Sequence, residues 1–329
     1  HRGEAVVQMA HTTPAGPAVS AGPAPAGRSK RRAGTGRKWL EIAVFAGPAL
    51  IVFVTFVIVP VILAAVYSFF NWNGLTPLER FIGFDNYIEA FNDPDFLQAI
   101  GNNFTIVIAS ILIQGPLAIA AALLLNRKLR GRAFIRAAIF VPYVLAEVIA
   151  GLSWNLLLSP NGFVNALLEM VGLEEWAQPW LANPDIALWV MFWILTWKYL
   201  GFAILIMLAG LQGVPEELHE AAAIDGAGWW KAQWYVTLPL LGPTIRIWVF
   251  LSIIGSLQLF DMVWVTTRGG PLNATNTMAV YMIVNGQTRP GYGSAIAVIL
   301  FLISLTVALV YQRLAMRRDL GGAITRGVR

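Results

Sequence analysis

Long runs without a charged residue dominate the pattern of polar and apolar positions along this chain. Uncharged runs cover residues 42–78, 96–126 and 290–312, and three further apolar stretches hold only one or two ionisable residues each. About 20 apolar residues are enough for a helix to cross a bilayer. The pattern therefore predicts an all-α, polytopic membrane protein with six transmembrane helices. Their predicted bounds are 42–70, 102–125, 137–158, 186–210, 244–266 and 292–313.

The basic residues gather on one side of these predicted spans. The segment before the first span, the link between the second and third spans and the tail after the sixth together hold 17 of the 23 lysines and arginines. The loops on the opposite side hold nine of the 18 acidic residues. Because loops rich in Lys and Arg remain in the cytoplasm, both termini are predicted to be cytoplasmic. The same rule accounts for the net charge of +5, and no nucleic-acid partner is predicted.

The composition is typical of a protein embedded in a lipid bilayer. Hydrophobic residues make up 57% of the 329 residues, charged residues 12%, and the mean hydropathy is +0.64. An average soluble domain is about a quarter charged, so a soluble globule is excluded. Residues 1–37 differ: they are rich in Ala, Gly and Pro, and we expect a disordered cytoplasmic tail without the apolar core of a signal peptide. Residues 38–319 then form the transmembrane domain, and residues 320–329 form a second cytoplasmic tail.

The sequence contains no pattern that is typical of catalysis. A P-loop motif is absent, so ATP and magnesium are not expected to bind to this chain. A nucleophile elbow of the G-x-S-x-G type and an H-E-x-x-H zinc motif are also absent. Since there is no cysteine, thiolate metal sites and disulfides are excluded. We expect no catalytic residue, no metal site and no enzymatic activity in this chain.

Three ionisable residues, Glu147, Lys198 and Asp261, lie within predicted spans. Residues of this kind usually face the interior of a helix bundle or a water-filled cavity. One interpretation is a polar translocation path, or an interhelical pair of Lys198 with Glu147 or Asp261. The other is a set of long side chains that reach the membrane interface.

The cytoplasmic segment 211–243 carries the most specific local pattern. Pro215 and two following acids favour a helix start, and Gly226 is suited to the left-handed position after a helix end. A second short helix is predicted over about 228–236, and Leu238, Pro239 and Pro243 are expected to break the chain before the fifth span. Exposed aromatic side chains are expected at Trp229, Trp230 and Trp234. The residues alone leave two interpretations open, a docking element for a partner or an amphipathic connector.

The same segment resembles a known motif. Glu220-Ala221-Ala222, Asp225-Gly226-Ala227 and Leu238-Pro239 with Pro243 have the spacing of the EAA motif of ABC-importer permease subunits. The chain is similar in particular to the binding-protein-dependent sugar permeases of the maltose-transporter class. The resemblance extends over 45–50, 83–87, 140–143, 209–212 and 267–271, and the last of these is similar to the first permease partner of a heterodimer.

This resemblance implies the fold of a type I ABC importer permease, with coupling helices between the fourth and fifth spans. It implies import of a sugar or oligosaccharide in the bacterial cytoplasmic (inner) membrane, with this chain forming half of the translocation path. The implied partners are a second EAA permease subunit, an ABC ATPase dimer that binds ATP and magnesium, an extracytoplasmic sugar-binding protein and the lipid bilayer. The implied ATPase-coupling residues are Glu220, Ala221, Ala222, Asp225, Gly226, Leu238 and Pro239.

The resemblance also implies a sugar site near mid-membrane. The matching positions are Tyr199, Phe202, Ser252, Gly255, Ser256 and Leu259. The member of the family with known sugar contacts has Asn where this chain has Ser256 and Leu259, so Gln258, Asp261 and Asn155 are expected to supply the missing hydrogen bonds. For the aromatic residues and the serines, ordinary helix packing stays open as the alternative.

The residues leave other transport and membrane functions as alternatives to a sugar permease. An ABC permease for a glycerol-phosphate ester would favour buried arginines, and the spans offer only Lys198 and Arg246. An ion-coupled secondary transporter usually shows internal repeats, which are not evident here. That class, like a membrane scaffold or a membrane enzyme, also leaves the EAA segment without a role.

Overall fold

The computed structural model describes residues 35–127 and 131–316 of the chain. These residues form helices and no β-strand, apart from an isolated antiparallel bridge between Phe70 and Phe81. The all-α prediction is confirmed. The α-helices are α1 Thr35–Phe53, α2 Val59–Tyr67, α3 Asp85–Asn92, α4 Pro94–Ala109, α5 Gly115–Leu125, α6 Arg132–Val144, α7 Glu147–Leu157, α8 Phe163–Met170, α9 Ala187–Leu211, α10 Glu216–Ile224, α11 Trp229–Ala232, α12 Leu238–Leu257, α13 Asp261–Thr266, α14 Met278–Thr288 and α15 Pro290–Tyr311.

Five helical segments are long and apolar enough to cross a membrane. They are Val44–Tyr67, Pro94–Leu125, Ala187–Leu211, Trp229–Thr266 and Pro290–Ala315. The bent pair α6 and α7 makes six if it is counted as one span. The structure separates into two compact units at Val57 and Ile58. The first contains α1, whose described side chains are mostly exposed, and the second contains α2 to α15.

The predicted tails lie almost wholly outside the described residues. Of the tail predicted over 1–37, residues 35–37 begin α1 instead, and the rest is outside the described part of the chain. The predicted tail 320–329 is outside it as well.

The prediction of one continuous helix over 137–158 is wrong. Helix α6 ends at Val144, α7 begins at Glu147, and the two helix axes differ by 98°. The two residues between them, Leu145 and Ala146, have extended backbone dihedrals. The break follows Pro142, which has no N–H to continue the backbone hydrogen bonds of α6.

Lys198 of α9 occupies this break. Its Nζ donates hydrogen bonds to the carbonyl oxygens of Pro142 (3.1 Å) and Tyr143 (3.2 Å) and to that of Leu145. The side chain is 2% exposed. The last carbonyls of a helix lack intrahelical partners, and a cation at this end also interacts favourably with the helix dipole. Lys198 therefore stabilises the bend between α6 and α7.

The fifth span also differs from the prediction of 244–266. The chain does not break at Leu238, Pro239 and Pro243, because helical structure continues from Trp229 into α12. The break comes after Leu257 instead, and α13 begins at Asp261.

Three prolines in these long helices are preceded by wider turns. Three π-helical turns each end two residues before a proline: Val54–Ile58 before Pro60, Ser110–Gln114 before Pro116, and Gln233–Thr237 before Pro239. In a regular helix the proline ring would clash with the carbonyl four residues earlier, and that carbonyl would lose its donor. The extra residue of a π turn changes this register, so the helices continue through the prolines.

Asn103 of α4 joins α12 to α14. Its Nδ2 donates to the carbonyl of Ser256 (2.6 Å) near the end of α12, and its Oδ1 accepts from the N–H of Met278 (2.8 Å) at the start of α14. Thr277 donates to the carbonyl of Leu259 (2.8 Å). The fully buried Asn103 therefore fixes the C-terminal end of α12.

Charged and aromatic groups join α3 to the α14–α15 region. Arg289 donates two hydrogen bonds to the carboxylate of Glu89, at 2.5 and 2.7 Å, and these bonds hold the pKa of Glu89 below its usual range. The hydroxyl of Tyr281 donates to Asp93. Burial, together with this hydrogen bond, raises the pKa of Tyr281.

The contact between α6 and α9 leads to a stability prediction at Gly201. A Cβ atom there would lie 2.5 Å from the backbone oxygen of Ile139, so Gly201→Ala must push the two helices apart. Overpacking of this kind costs about 1–3 kcal/mol. We expect a lower unfolding temperature for the purified protein in detergent. Gly101→Ala on the exposed side of α4, where no atom lies within 4 Å, is the matched control, and equal unfolding temperatures for the two variants would contradict this packing.

Candidate functional site

A cavity of about 310 Å³ lies among α4, the π turn Ser110–Gln114, α6, α9 and α12. Six of the nine residues predicted to bind substrate line it, namely Tyr199, Phe202, Ser252, Gly255, Ser256 and Leu259. Ser252, Gly255 and Ser256 lie on one face of α12, as their spacing predicts. Leu259 lies beyond the end of α12 and still reaches the cavity, because the chain turns only after Leu257. The structure therefore brings these six residues together.

Aromatic rings form one wall of the cavity. Tyr143 and Phe202 stack with ring centroids 5.1 Å apart and planes 15° from parallel, and Tyr199 lies 6.4 Å from Tyr143. The hydroxyl of Tyr199 donates to Oε1 of Glu147 at the start of α7. Ring faces of this kind carry negative partial charge, which suits the C–H groups of a ligand.

Hydroxyl and amide groups also belong to the lining. Ser110 donates to Oε1 of Gln114 (2.5 Å), and the hydroxyls of Ser110 and Ser252 are 2.8 Å apart. Thr196 is 4% exposed, and its hydroxyl has no hydrogen-bond partner among the described residues. None of the residues that line the cavity carries a formal charge.

Sequence reasoning missed several of these residues. Ser110 and Gln114 are polar residues four apart in an apolar helix, so their spacing already places them on one face. Thr196 and Tyr143 have no comparable signal, because a single polar or aromatic residue in a span is compatible with helix packing alone. The break at Val144, which moves Tyr143 to the end of α6, is not evident from the hydropathy pattern.

Three predicted substrate residues lie outside the cavity lining. Gln258 and Asp261 are exposed at the break between α12 and α13. Asn155 donates to the carbonyl of Thr266 (2.6 Å) and so joins α7 to α13. The structure does not bring these three side chains to the cavity, since Gln258 and Asp261 are exposed and Asn155 is hydrogen-bonded to α13 instead.

The predicted coupling segment forms a helix with a defined end. Helix α10 ends at Ile224, and Gly226 has φ +75°. The N–H of Ala227 bonds to the carbonyl of Ala222 (2.9 Å), and that of Gly226 bonds to the carbonyl of Ala223 (3.0 Å). These two bonds are the pair that defines a Schellman end. The chain thus turns sharply at the glycine predicted as the hinge.

The other predicted coupling residues lie on or next to α10 and at the start of α12. Glu220, Ala221 and Asp225 are exposed, Ala222 is half-buried, and Leu238 and Pro239 begin α12. The α10 surface that carries Glu220 and Ala221 is therefore accessible in this chain.

The aromatic residues after the bend differ from the prediction at one position. Trp230 and Trp234 are exposed as expected, by 78% and 69%. Trp229 is half-buried instead, because the guanidinium of Arg127 lies 4.0 Å from the centre of its ring. Trp229 also lines a second cavity of about 300 Å³ behind α10, together with His219 and Gln233.

The described residues contain no cluster of His, Asp and Glu suited to a metal ion. The arrangement therefore offers a ligand cavity within the membrane-spanning helices and an exposed helix at the connection between α9 and α12.

Comparisons with known proteins agree with these features. The family described as "Binding-protein-dependent transport system inner membrane component" matches residues 31–319. The chain is 34% identical over 274 residues to a probable ABC transporter permease protein of Pyrococcus horikoshii, which covers 82% of this chain and 94% of the relative. It is 31% identical over 318 residues to the diacetylchitobiose uptake system permease protein of Streptomyces coelicolor, covering 91% and 90%.

A solved structure shows the same fold. A chain of a bacterial ABC transporter involved in the import of the acidic polysaccharide alginate superposes with a TM-score of 0.74 at 26% identity, covering 86% of this chain and 96% of that one. The expected ABC importer permease fold is confirmed. This chain therefore belongs to the family of inner membrane components of binding-protein-dependent transport systems, and it is a multi-pass permease subunit of an ABC importer.

Proposed function

We propose that this permease imports a sugar or oligosaccharide that an extracytoplasmic sugar-binding protein delivers. The cavity of about 310 Å³ carries this proposal, because its walls offer aromatic faces, hydroxyls and an amide without a formal charge. The similarity to a diacetylchitobiose uptake permease supports the same class of substrate. A phosphate ester fits less well, since the lining has no cation and Lys198 already binds three backbone carbonyls.

The energy for transport is proposed to enter from partner proteins. A second EAA permease subunit forms the other half of the translocation path, and an ABC ATPase dimer binds ATP and magnesium and hydrolyses ATP. Both termini and α10 lie on the cytoplasmic side, in keeping with the bias of basic residues. The exposed Glu220 and Ala221 contact the ATPase.

The coupling segment is well placed to transmit motion to the cavity. Helix α9, which carries Tyr199 and Phe202, ends at Leu211 only five residues before α10 begins. Helical structure that starts at Trp229, just after the bend, continues into α12, which carries Ser252 and Ser256. Two walls of the cavity are thus direct extensions of the segment that meets the ATPase.

The first prediction concerns the path through the cavity. Ser256→Trp places an indole into the cavity, and we expect uptake of sugar by the reconstituted transporter to fall by at least roughly tenfold, a barrier change of ~1.4 kcal/mol. Leu302→Trp adds the same side chain to an exposed position of α15 and should leave uptake unchanged. Both variants should assemble with the ATPase. Wild-type uptake kinetics for Ser256→Trp would exclude this cavity as the path.

The second prediction concerns the contact with the ATPase. Glu220→Ala removes the exposed carboxylate of the EAA motif, so we expect a normally inserted protein whose substrate-stimulated ATP hydrolysis is lost. Glu217→Ala, one turn earlier on α10 and also exposed, is the matched control and should retain coupling. Normal ATP hydrolysis and transport in Glu220→Ala would refute the role assigned to this residue.

The third prediction concerns the bend after α10. Gly226→Val forces a β-branched residue to φ +75°, which costs about 1–2 kcal/mol. We expect loss of coupling in the same ATPase assay, because α10 no longer ends in its present direction. Gly228→Val is the matched control, since Gly228 has φ −65° and no atom within 4 Å of its Cβ position. Equal coupling in both variants would show that the bend is dispensable.

A further inference from the structure

Gln114 is a buried amide in the cavity wall that the EAA resemblance does not assign. It is 7% exposed and lines the cavity. It ends the π turn Ser110–Gln114, and π turns inside helices are frequent at functional sites. The next residue, Gly115, lies so close to the Trp248 ring that a Cβ atom would be 2.7 Å from it. The backbone at this turn is therefore held against the cavity wall.

The hydrogen bonds around Gln114 fix which groups remain free. The Oε1 atom of an amide can only accept a hydrogen bond. Ser110 therefore uses its single hydroxyl proton in the hydrogen bond to Gln114 (2.5 Å). The bond between Ser110 and Ser252 at 2.8 Å must then be donated by Ser252. The hydroxyl protons of both serines are therefore used in hydrogen bonds within the cavity wall. What remains for a ligand is the Nε2 amide of Gln114, a donor, and a lone pair of Ser252, an acceptor.

We propose that Gln114 is a specificity-determining residue that donates a hydrogen bond from Nε2 to a hydroxyl oxygen of the transported sugar. Ser252 accepts a hydrogen bond from a neighbouring hydroxyl of the same sugar, and Ser110 is a positioning residue that orients the amide. The substrate group that fits is a pair of adjacent hydroxyls on an uncharged sugar. This inference rests on the proposed import of a sugar, and it adds the π turn Ser110–Gln114 to the expected site on α9 and α12.

The test compares variants of Gln114 in the complete reconstituted transporter with its own binding protein and ATPase. The probes are radiolabelled cellobiose, maltose, trehalose and diacetylchitobiose, and the readout is the selectivity between the two sugars that the wild type transports best. Gln114→Met is close in shape but has no donor, and Gln114→Leu also has no donor. We expect both to raise KM for the preferred sugar by about 3- to 10-fold, the worth of one uncharged hydrogen bond, and to change the selectivity.

Two further variants separate orientation from packing. Ser110→Ala should shift selectivity in the same direction as Gln114→Met, and Ser110→Thr should restore it because it keeps the hydroxyl. Gln312→Met replaces an exposed glutamine in another π turn, and this control should leave selectivity unchanged.

The outcomes distinguish this inference from the proposed function. Sugar uptake by the wild type with unchanged selectivity in Gln114→Met, or wild-type behaviour of Gln114→Leu, would overturn the role of Gln114 alone. Absence of uptake of all four sugars by the wild type would overturn the proposed function and this inference with it.

Discussion

The backbone polar groups at each helix break must find partners inside an apolar medium, and the rest of this structure depends on that constraint. Lipid offers no hydrogen bonds to a free carbonyl. At the break after α6, Lys198 supplies the donors for three carbonyls. At the break after α12, Asn103 supplies the donor for the carbonyl of Ser256. Both side chains are almost fully buried.

Each helix break whose backbone carbonyls are hydrogen-bonded in this way places a residue at the cavity. The turn after Val144 leaves the ring of Tyr143 against Phe202, and the turn after Leu257 brings Leu259 to the lining. The π turn Ser110–Gln114 also places residues at the cavity. There Ser110 is hydrogen-bonded both to Gln114 and to Ser252. Polar residues cost free energy within a membrane span, and here they are the groups that shape the cavity.

Much of this arrangement could be predicted from the sequence. The three charge-free runs predict three of the spans, because about 20 apolar residues are enough to cross a bilayer. The spacing of the α12 residues predicts their common face, and Gly226 predicts the bend that its φ of +75° confirms. The positions of the helix breaks were harder to predict. Pro142 and Pro239 have similar local sequences, yet only Pro142 lies close to a break. There Lys198, from another helix, donates hydrogen bonds to the carbonyls at the end of α6. The short helices α3, α8 and α14 were missed because each has only 8 to 11 residues, which is too short for the hydropathy pattern of a membrane span.

The central claim is that this permease works in an ATP-driven complex, and the composition of that complex in its own host tests it most directly. The measurement is purification of the tagged chain in mild detergent, with its stoichiometric partners identified by mass spectrometry. The account predicts a second six-span protein with an EAA motif and an ATPase with a P-loop. Recovery of the chain alone, with uptake driven by an ion gradient after reconstitution, would contradict it.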